Sequence, residues 1–373
     1  MLRLARGMRV FTALAALLLL LPAACTAQSE SPQAEQTTAS STIKERAFSV
    51  AGVSGFDPPW IEFATRDRGY ALFTSCGPDS CQAVLFSTDD GARTWKGRKH
   101  PQPVARNQQM YVTGADDVVL LAEPGAWYVS RDGAVSWQRF AYAEGVLPPG
   151  YPMGDGGRFY VDDSGTIRDS TDRAARFAPA PRGATLLSNA PDGSLWLAGQ
   201  RDGLPVTWIG QSGPDSWQPV AVPQQGRPVL RARVAISADG KDTWLVAEPE
   251  PLERSGGTAR ARGSVLKATG LPLIWLFHHH SWVPVTTAGM YENPTWSYAA
   301  TPAGGGLLLV SGPDGLTFLR DRVVATAAQP VLGWVGQLRD GTLAGRAAHG
   351  NAVYVSSGTG AAREWTKVVL SGA

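Results

Sequence analysis

The sequence predicts an all-β fold, a seven-bladed β-propeller of four-stranded antiparallel blades, with six or eight blades as the alternatives. Three observations predict it. An eight-residue motif recurs at a spacing close to forty residues, and short apolar runs abut Asp-Gly turns. No segment after the N-terminus carries a 3.6-residue apolar stripe with caps at both ends. Composition agrees: 42 Gly, 27 Pro and 13 Trp among 373 residues favour turns over helix. A chain 43% hydrophobic and 18% charged can bury a core.

In chain order, residues 1–24 read as an export signal. Arg3, Arg6 and Arg9 form a positive leader, and Val10 to Leu21 is apolar but short for a membrane span. The stretch ends at Leu21-Pro22-Ala23-Ala24-Cys25. This resembles the lipobox of bacterial lipoproteins, with Pro22 where that family has Leu. The resemblance implies that Cys25 is diacylated and becomes the new N-terminus, anchoring the protein to the cell membrane from outside the cytoplasm. Plain secretion, cleaved near Ala24 or Ala27, is the alternative. Residues 25–44 are a polar Ser/Thr/Gln/Ala tether, and 45–373 are the propeller. No later apolar run approaches the length of a span; the longest, Leu271 to Phe277, contains Pro272.

The 34 basic residues nearly balance the 32 acidic ones, and three of the basic ones lie in the leader. A near-neutral mature chain lacks the field that nucleic acid requires. Of the three cysteines, Cys25 is left over, for the lipid that the resemblance implies, once Cys76 and Cys81 pair. These flank Gly77-Pro78-Asp79-Ser80, a turn between apolar runs, so they face each other across a hairpin and form a structural disulfide in an oxidising compartment. Their spacing does not suit a zinc knuckle.

Thr88-Asp89-Asp90-Gly91-Ala92-Arg93-Thr94-Trp95 aligns without gaps on Ser130-Arg131-Asp132-Gly133-Ala134-Val135-Ser136-Trp137. Worn copies end at Phe177 and Trp217. The closing aromatics therefore stand 42, 40 and 40 residues apart. Trp282 follows 65 residues later, after an insertion at Glu248 to Ser264, and Trp365 comes 83 further on. That leaves one unit near Arg322-Val323 without an aromatic. A 40–45-residue unit of four short strands is a propeller blade. Asp192-Gly193, Asp239-Gly240, Asp314-Gly315 and Asp340-Gly341 are expected as type I′ hairpin turns. The segment Ala47 to Val53 is expected to pair with the blade ending at Trp365, closing the ring.

The motif resembles the Asp-box, or BNR repeat, of bacterial sialidases and of related propellers that include photosystem II assembly factors. Thr88, Asp90, Thr94 and Trp95 match its fixed positions, as do Ser130, Asp132, Ser136 and Trp137, while Gly91 and Gly133 stand one place early. The resemblance implies a peripheral structural turn and no activity. The side chains themselves say the same: a short carboxylate caps the N–H groups of its own turn, and the indole folds back as an apolar plug.

A sialidase would need three clustered arginines, a Tyr–Glu nucleophile and an Asp acid/base, and the family opens its first blade with Arg-Ile-Pro. Here Phe56-Asp57-Pro58-Pro59-Trp60-Ile61 holds no arginine. His278-His279-His280 would need a third ligand, with only His100, His349 or a carboxylate to supply it, and reads as an exposed run. No phosphate-cradling loop and no nucleophile elbow is present. No catalytic residue, metal or cofactor is expected. The functional reading is a monomeric, lipid-anchored binding or scaffold protein at the cell envelope, meeting a protein or glycan partner. A sialidase-like glycoside hydrolase and an assembly factor for membrane or envelope complexes are the alternatives. Arg254, Arg260 and Arg262 in the insertion are the candidate ligand contacts.

Overall fold

Tyr70, Ala71, Leu72 and Phe73 form an unbroken apolar run because both faces of their strand are buried. Tyr70 and Leu72 enter one cluster with Met110, Leu120 and Tyr128. Ala71 and Phe73 enter another with Val353, Val355 and Leu370. Side chains alternate across a strand, so a sheet between two other sheets needs apolar residues at every position. The computed structural model describes residues 37–38, 42–142, 148, 159–162, 164–169, 177–210, 217–250 and 270–373. Every regular element among them is a strand.

The strands form sheets in which strand order follows chain order. The first holds Trp60–Phe63, Gly69–Cys76, Cys81–Thr88 and Lys96–Arg98, and the second Asn107–Val112, Val118–Glu123, Ala126–Ser130 and Gln138–Ala141. Of the third, Phe159–Val161 and Ile167–Asp169 are described. The fourth holds Ala184–Asn189, Leu195–Arg201, Leu204–Gly210 and Gln218–Val220, and the fifth Val229–Ile236, Thr243–Pro249, Leu273–His278 and Ser281–Val285. Ala299–Gly304, Leu307–Gly312, Gly315–Leu319 and Val323–Ala327 make the sixth; Leu332–Gln337, Leu343–Ala347, Val353–Ser357 and Glu364–Gly372 make the seventh. All pairs between consecutive strands within a sheet are antiparallel.

Shared apolar clusters join the sheets: fourth to fifth, fifth to sixth, sixth to seventh, and seventh back to first. The ring is closed. The fold is a β-propeller. First strands touch from sheet to sheet and so line the axis. One end of the ring carries the connections from first to second and third to fourth strands, including the two Asp motifs. The other, the hairpin end, carries the second-to-third connections and the crossings between sheets.

Closure uses the N-terminus. Thr42–Val50 lies parallel on Glu364–Gly372, with Ile43 opposite Trp365 and Phe48 opposite Leu370. The expected partner is correct, but the strand begins at Thr42, ahead of the propeller boundary expected at residue 45. Thr37–Thr38 also pairs, parallel to Val323–Ala327. Part of the polar stretch expected as tether therefore forms strands. Edge pairing draws on backbone groups alone, and Thr favours strands while its hydroxyl stays outward.

Three of the four expected Asp-Gly sites are turns, but not of the expected type; at the fourth the turn is Pro313-Asp314, and Gly315 already pairs with Gly312. Only the glycine has positive φ at Gly193, Gly240, Gly315 and Gly341. Gly193, Gly240 and Gly341 donate their N–H to Ala190, Ser237 and Leu338, the geometry of a type I turn followed by a left-handed glycine. Asp192, Asp239 and Asp340 spend their carboxylates on the N–H two residues on. Two-residue turns with both φ positive occur instead at Asp202-Gly203, His279-His280 and Gly305-Gly306.

Cys76 and Cys81 are direct partners across their hairpin and are bonded, with Cα atoms 3.9 Å apart. A loop this short limits what the bond contributes. Replacing both by Ser should lower the unfolding free energy by about 2 kcal/mol in an oxidising urea melt. An unchanged midpoint would show that the hairpin ladder closes without it.

Candidate functional site

The two Asp motifs are superposable in chemistry. Asp90 Oδ1 accepts the N–H of Arg93 and of Thr94 and the Thr88 hydroxyl, while Thr94 donates its hydroxyl to Oδ2 at 2.6 Å. Asp132 repeats this with Val135, Ser136 and Ser130. Hydrogen bonds from Ser136 and Ser130 hold the Asp132 carboxyl at about 2. Burial pushes Asp90 up, but its bonds from Thr94 and Thr88 outweigh that and leave it well below the usual carboxylate range. Both carboxylates are ionised and committed to the turn, which suits no catalytic role. Gly91 and Gly133 have φ of 68° and 74° and donate to Asp67 and Asp116 of the neighbouring first-to-second connection. A side chain at Gly91 would meet Arg46 and Asp67 at 3.1 Å, which explains the glycine at that place.

The closing aromatics plug one sheet onto the preceding one. Trp137 donates its indole N–H to Lys99, Trp217 to Ala178 and Trp282 to the Thr207 hydroxyl. Trp95 is buried edge-on against Phe63, and Trp365 is buried as well. Val323 fills the aromatic-free unit.

The histidine run is a turn. His278 pairs with Ser281, and His279 and His280 sit between them with φ of 46° and 62°. This hairpin stands where the first and second sheets carry their Asp motifs. His349 is in the second-to-third connection of the seventh sheet, at the opposite end of the ring. His100 is buried, and its Nδ1 accepts the Gln102 N–H at 3.2 Å. Among the described residues no group of three metal-ligating side chains comes together. Cys25, Arg254, Arg260 and Arg262 lie outside the described residues.

Burial lowers the His100 imidazole to about 4. The unfolded chain, near 6.5, therefore takes up the proton first as the pH falls. Stability is full above pH 6.5 and is lost progressively toward pH 4, by up to about 3 kcal/mol. Urea melts between pH 7 and pH 4 should show this slope, and His100→Asn should flatten it. An equal slope in the variant would assign the acid sensitivity elsewhere.

At the hairpin-end mouth of the ring, the structure assembles residues that the sequence did not single out. Trp60 begins the first strand of the first sheet and is 47% exposed; Trp334 lies on the first strand of the seventh and is 53% exposed. Arg346, the cross-strand partner of Trp334, places its guanidinium carbon 3.1 Å from the centre of the Trp60 ring. Its Nη2 donates to the Ile61 carbonyl at 3.3 Å. Trp60 donates its indole N–H to Glu62 at 2.8 Å, and Glu62 also accepts the Val112 N–H at 2.8 Å. Burial raises the Glu62 carboxyl, opposed by those two donors and by Arg346. The seventh, first and second sheets thus share one braced aromatic wall. One signal in the sequence could have found it: Trp60 and Trp334 fall 35 and 31 residues ahead of Trp95 and Trp365, out of phase with the plugs.

A second polar concavity of about 20 Å³ lies at the seam of the seventh and first sheets, lined by Arg46, Arg66, Asp67, Arg93 and Ser356 among others. Three arginines meet there, but neither Tyr nor Glu lines it, so this concavity does not hold the sialidase set.

No family model matches the sequence, and no curated protein is similar to it. Solved structures resemble it at low identity. One is YCF48 bound to D1 peptide, 16% identical over 77% of this chain and 81% of that one, TM-score 0.37. Hydrazine synthase of Kuenenia stuttgartiensis is 12% identical over 73% of this chain and 91% of its own, TM-score 0.37. The GH93 α-L-arabinofuranosidase of Fusarium graminearum, in complex with arabinobiose, is 10% identical over 79% and 88%, TM-score 0.32. At this distance the likeness is one of fold and carries no function across.

Proposed function

We propose that the chain is an exported, lipid-anchored, seven-bladed propeller that acts as a non-catalytic binding or scaffold protein at the cell envelope. It meets a protein or glycan partner at the hairpin-end mouth. The observation that supports this is the half-exposure of Trp60 and Trp334 beside Arg346, on strands held rigid by the closed ring. Exposed indoles on a preorganised wall gain most when a partner covers them. The lipobox-like segment ending at Cys25 supports the anchor, and the Asp motifs support kinship with BNR-type propellers.

The test is affinity capture from native membranes with wild type, Cys25→Ala and Trp334→Ala. Wild type should retain a partner that Trp334→Ala loses, and Cys25→Ala should move to the soluble fraction. A partner kept by Trp334→Ala would overturn the mouth as the contact, and a membrane-bound Cys25→Ala would overturn the anchor. A stoichiometric membrane protein in the capture would select the assembly-factor reading. Envelope glycan would select carbohydrate binding, and turnover of a sialoside would reopen the hydrolase.

A further inference from the structure

The seam concavity between the seventh and first sheets has a chemistry of its own, remote from the aromatic mouth. Arg46 comes from the N-terminal strand, Arg66 from the first-to-second connection of the first sheet, and Arg93 from its Asp motif. None of the three makes an ion pair among the described residues. Asp67 shares the pocket, and Asp90 is near but already caps its turn. Three cations thus face the carboxylate of Asp67 and the engaged one of Asp90. Arg46 is lowered by burial and then by Arg93, with Arg66 adding to it, as expected of like charges held together.

Behind the arginines the concavity is lined by Phe63, Val355 and Val368 and by Ser357 and Thr366 of the seventh sheet, none of which carries a charge. Three guanidiniums therefore stand against the one carboxylate in the lining, that of Asp67, and the concavity favours an anion.

The geometry points to an oxyanion site at this seam, taking one oxygen of a phosphate or sulfate group into the concavity, with Arg66 and Arg93 holding the rest from the rim. A volume of about 20 Å³ admits one such oxygen and no larger group. The anion bridges the N-terminal strand, the first sheet and the seventh, so its binding tightens the ring closure.

Thermal melts of the full chain at low ionic strength test this. Inorganic phosphate at about 10 mM should raise the melting temperature saturably by about 3 °C, and sodium chloride of equal ionic strength should not. Arg66→Gln/Arg93→Gln, both exposed and outside the core, should melt like wild type without phosphate and lose the shift. No shift in wild type, or the same shift in the double variant, overturns the site. Glycerol 3-phosphate separates the sources: a larger shift than phosphate marks a headgroup-like monoester as the natural ligand, and an equal shift marks the free anion.

Discussion

A chain that starts at Ala51, lacking the strand Thr42–Val50, is expected to lose on the order of 4 kcal/mol of stability. The backbone ladder of that strand and the entropy of ordering it are opposed and of similar size. The net loss therefore comes from side chains. Val50 is 3% exposed within the cluster that joins the seventh sheet to the first, Phe48 packs against that cluster, and Ile43 packs against the next. The exposed pairs Lys44–Glu364 and Lys367–Glu45 add little. The hydrogen bond from Arg46 to the Gly91 carbonyl, which ties the strand to the first Asp motif, is lost as well. Removal also moves the sheet edge from Thr42–Val50 to Glu364–Gly372. A urea midpoint equal to wild type would mean that the ring holds without its N-terminal strand.

Trp334→Ala is the variant expected to cost most in binding, on the order of 100-fold in affinity for the captured partner. Truncating a half-exposed indole leaves no cavity in the core, so the melt should stay within about 1 kcal/mol of wild type. Trp60→Ala is less clean. It removes a donor from Glu62 and the ring beneath Arg346, so it should lower both affinity and stability. Comparing the two separates contact from support. An affinity unchanged by Trp334→Ala would place the partner elsewhere on the ring.

What the sequence disclosed was local. Every partner of Asp90 lies within its own eight residues, so the motif, its glycine and its plug could be read in one dimension. Three of the four Asp-Gly turns were placed but mistyped, because turn type follows from how many residues the flanking strands leave unpaired. His279 and His280 show the same limit: the pairing of His278 with Ser281 makes them a turn, and no residue in the run announces that register. The aromatic mouth was invisible for a different reason. Trp60 and Arg346 are brought together only when the last sheet meets the first. Composition gave thirteen tryptophans without saying which were plugs and which were exposed.

The parallel seating of Thr42–Val50 on Glu364–Gly372 has a mechanical consequence. The chain enters the ring beside Glu364 and runs along the full length of its partner before turning into the first sheet. A pull on the upstream chain acts along that strand, loading its nine residue pairs in shear and all at once. It does not unzip them one by one. Tension applied through the chain upstream of Thr42 would therefore be borne by the seam as a whole.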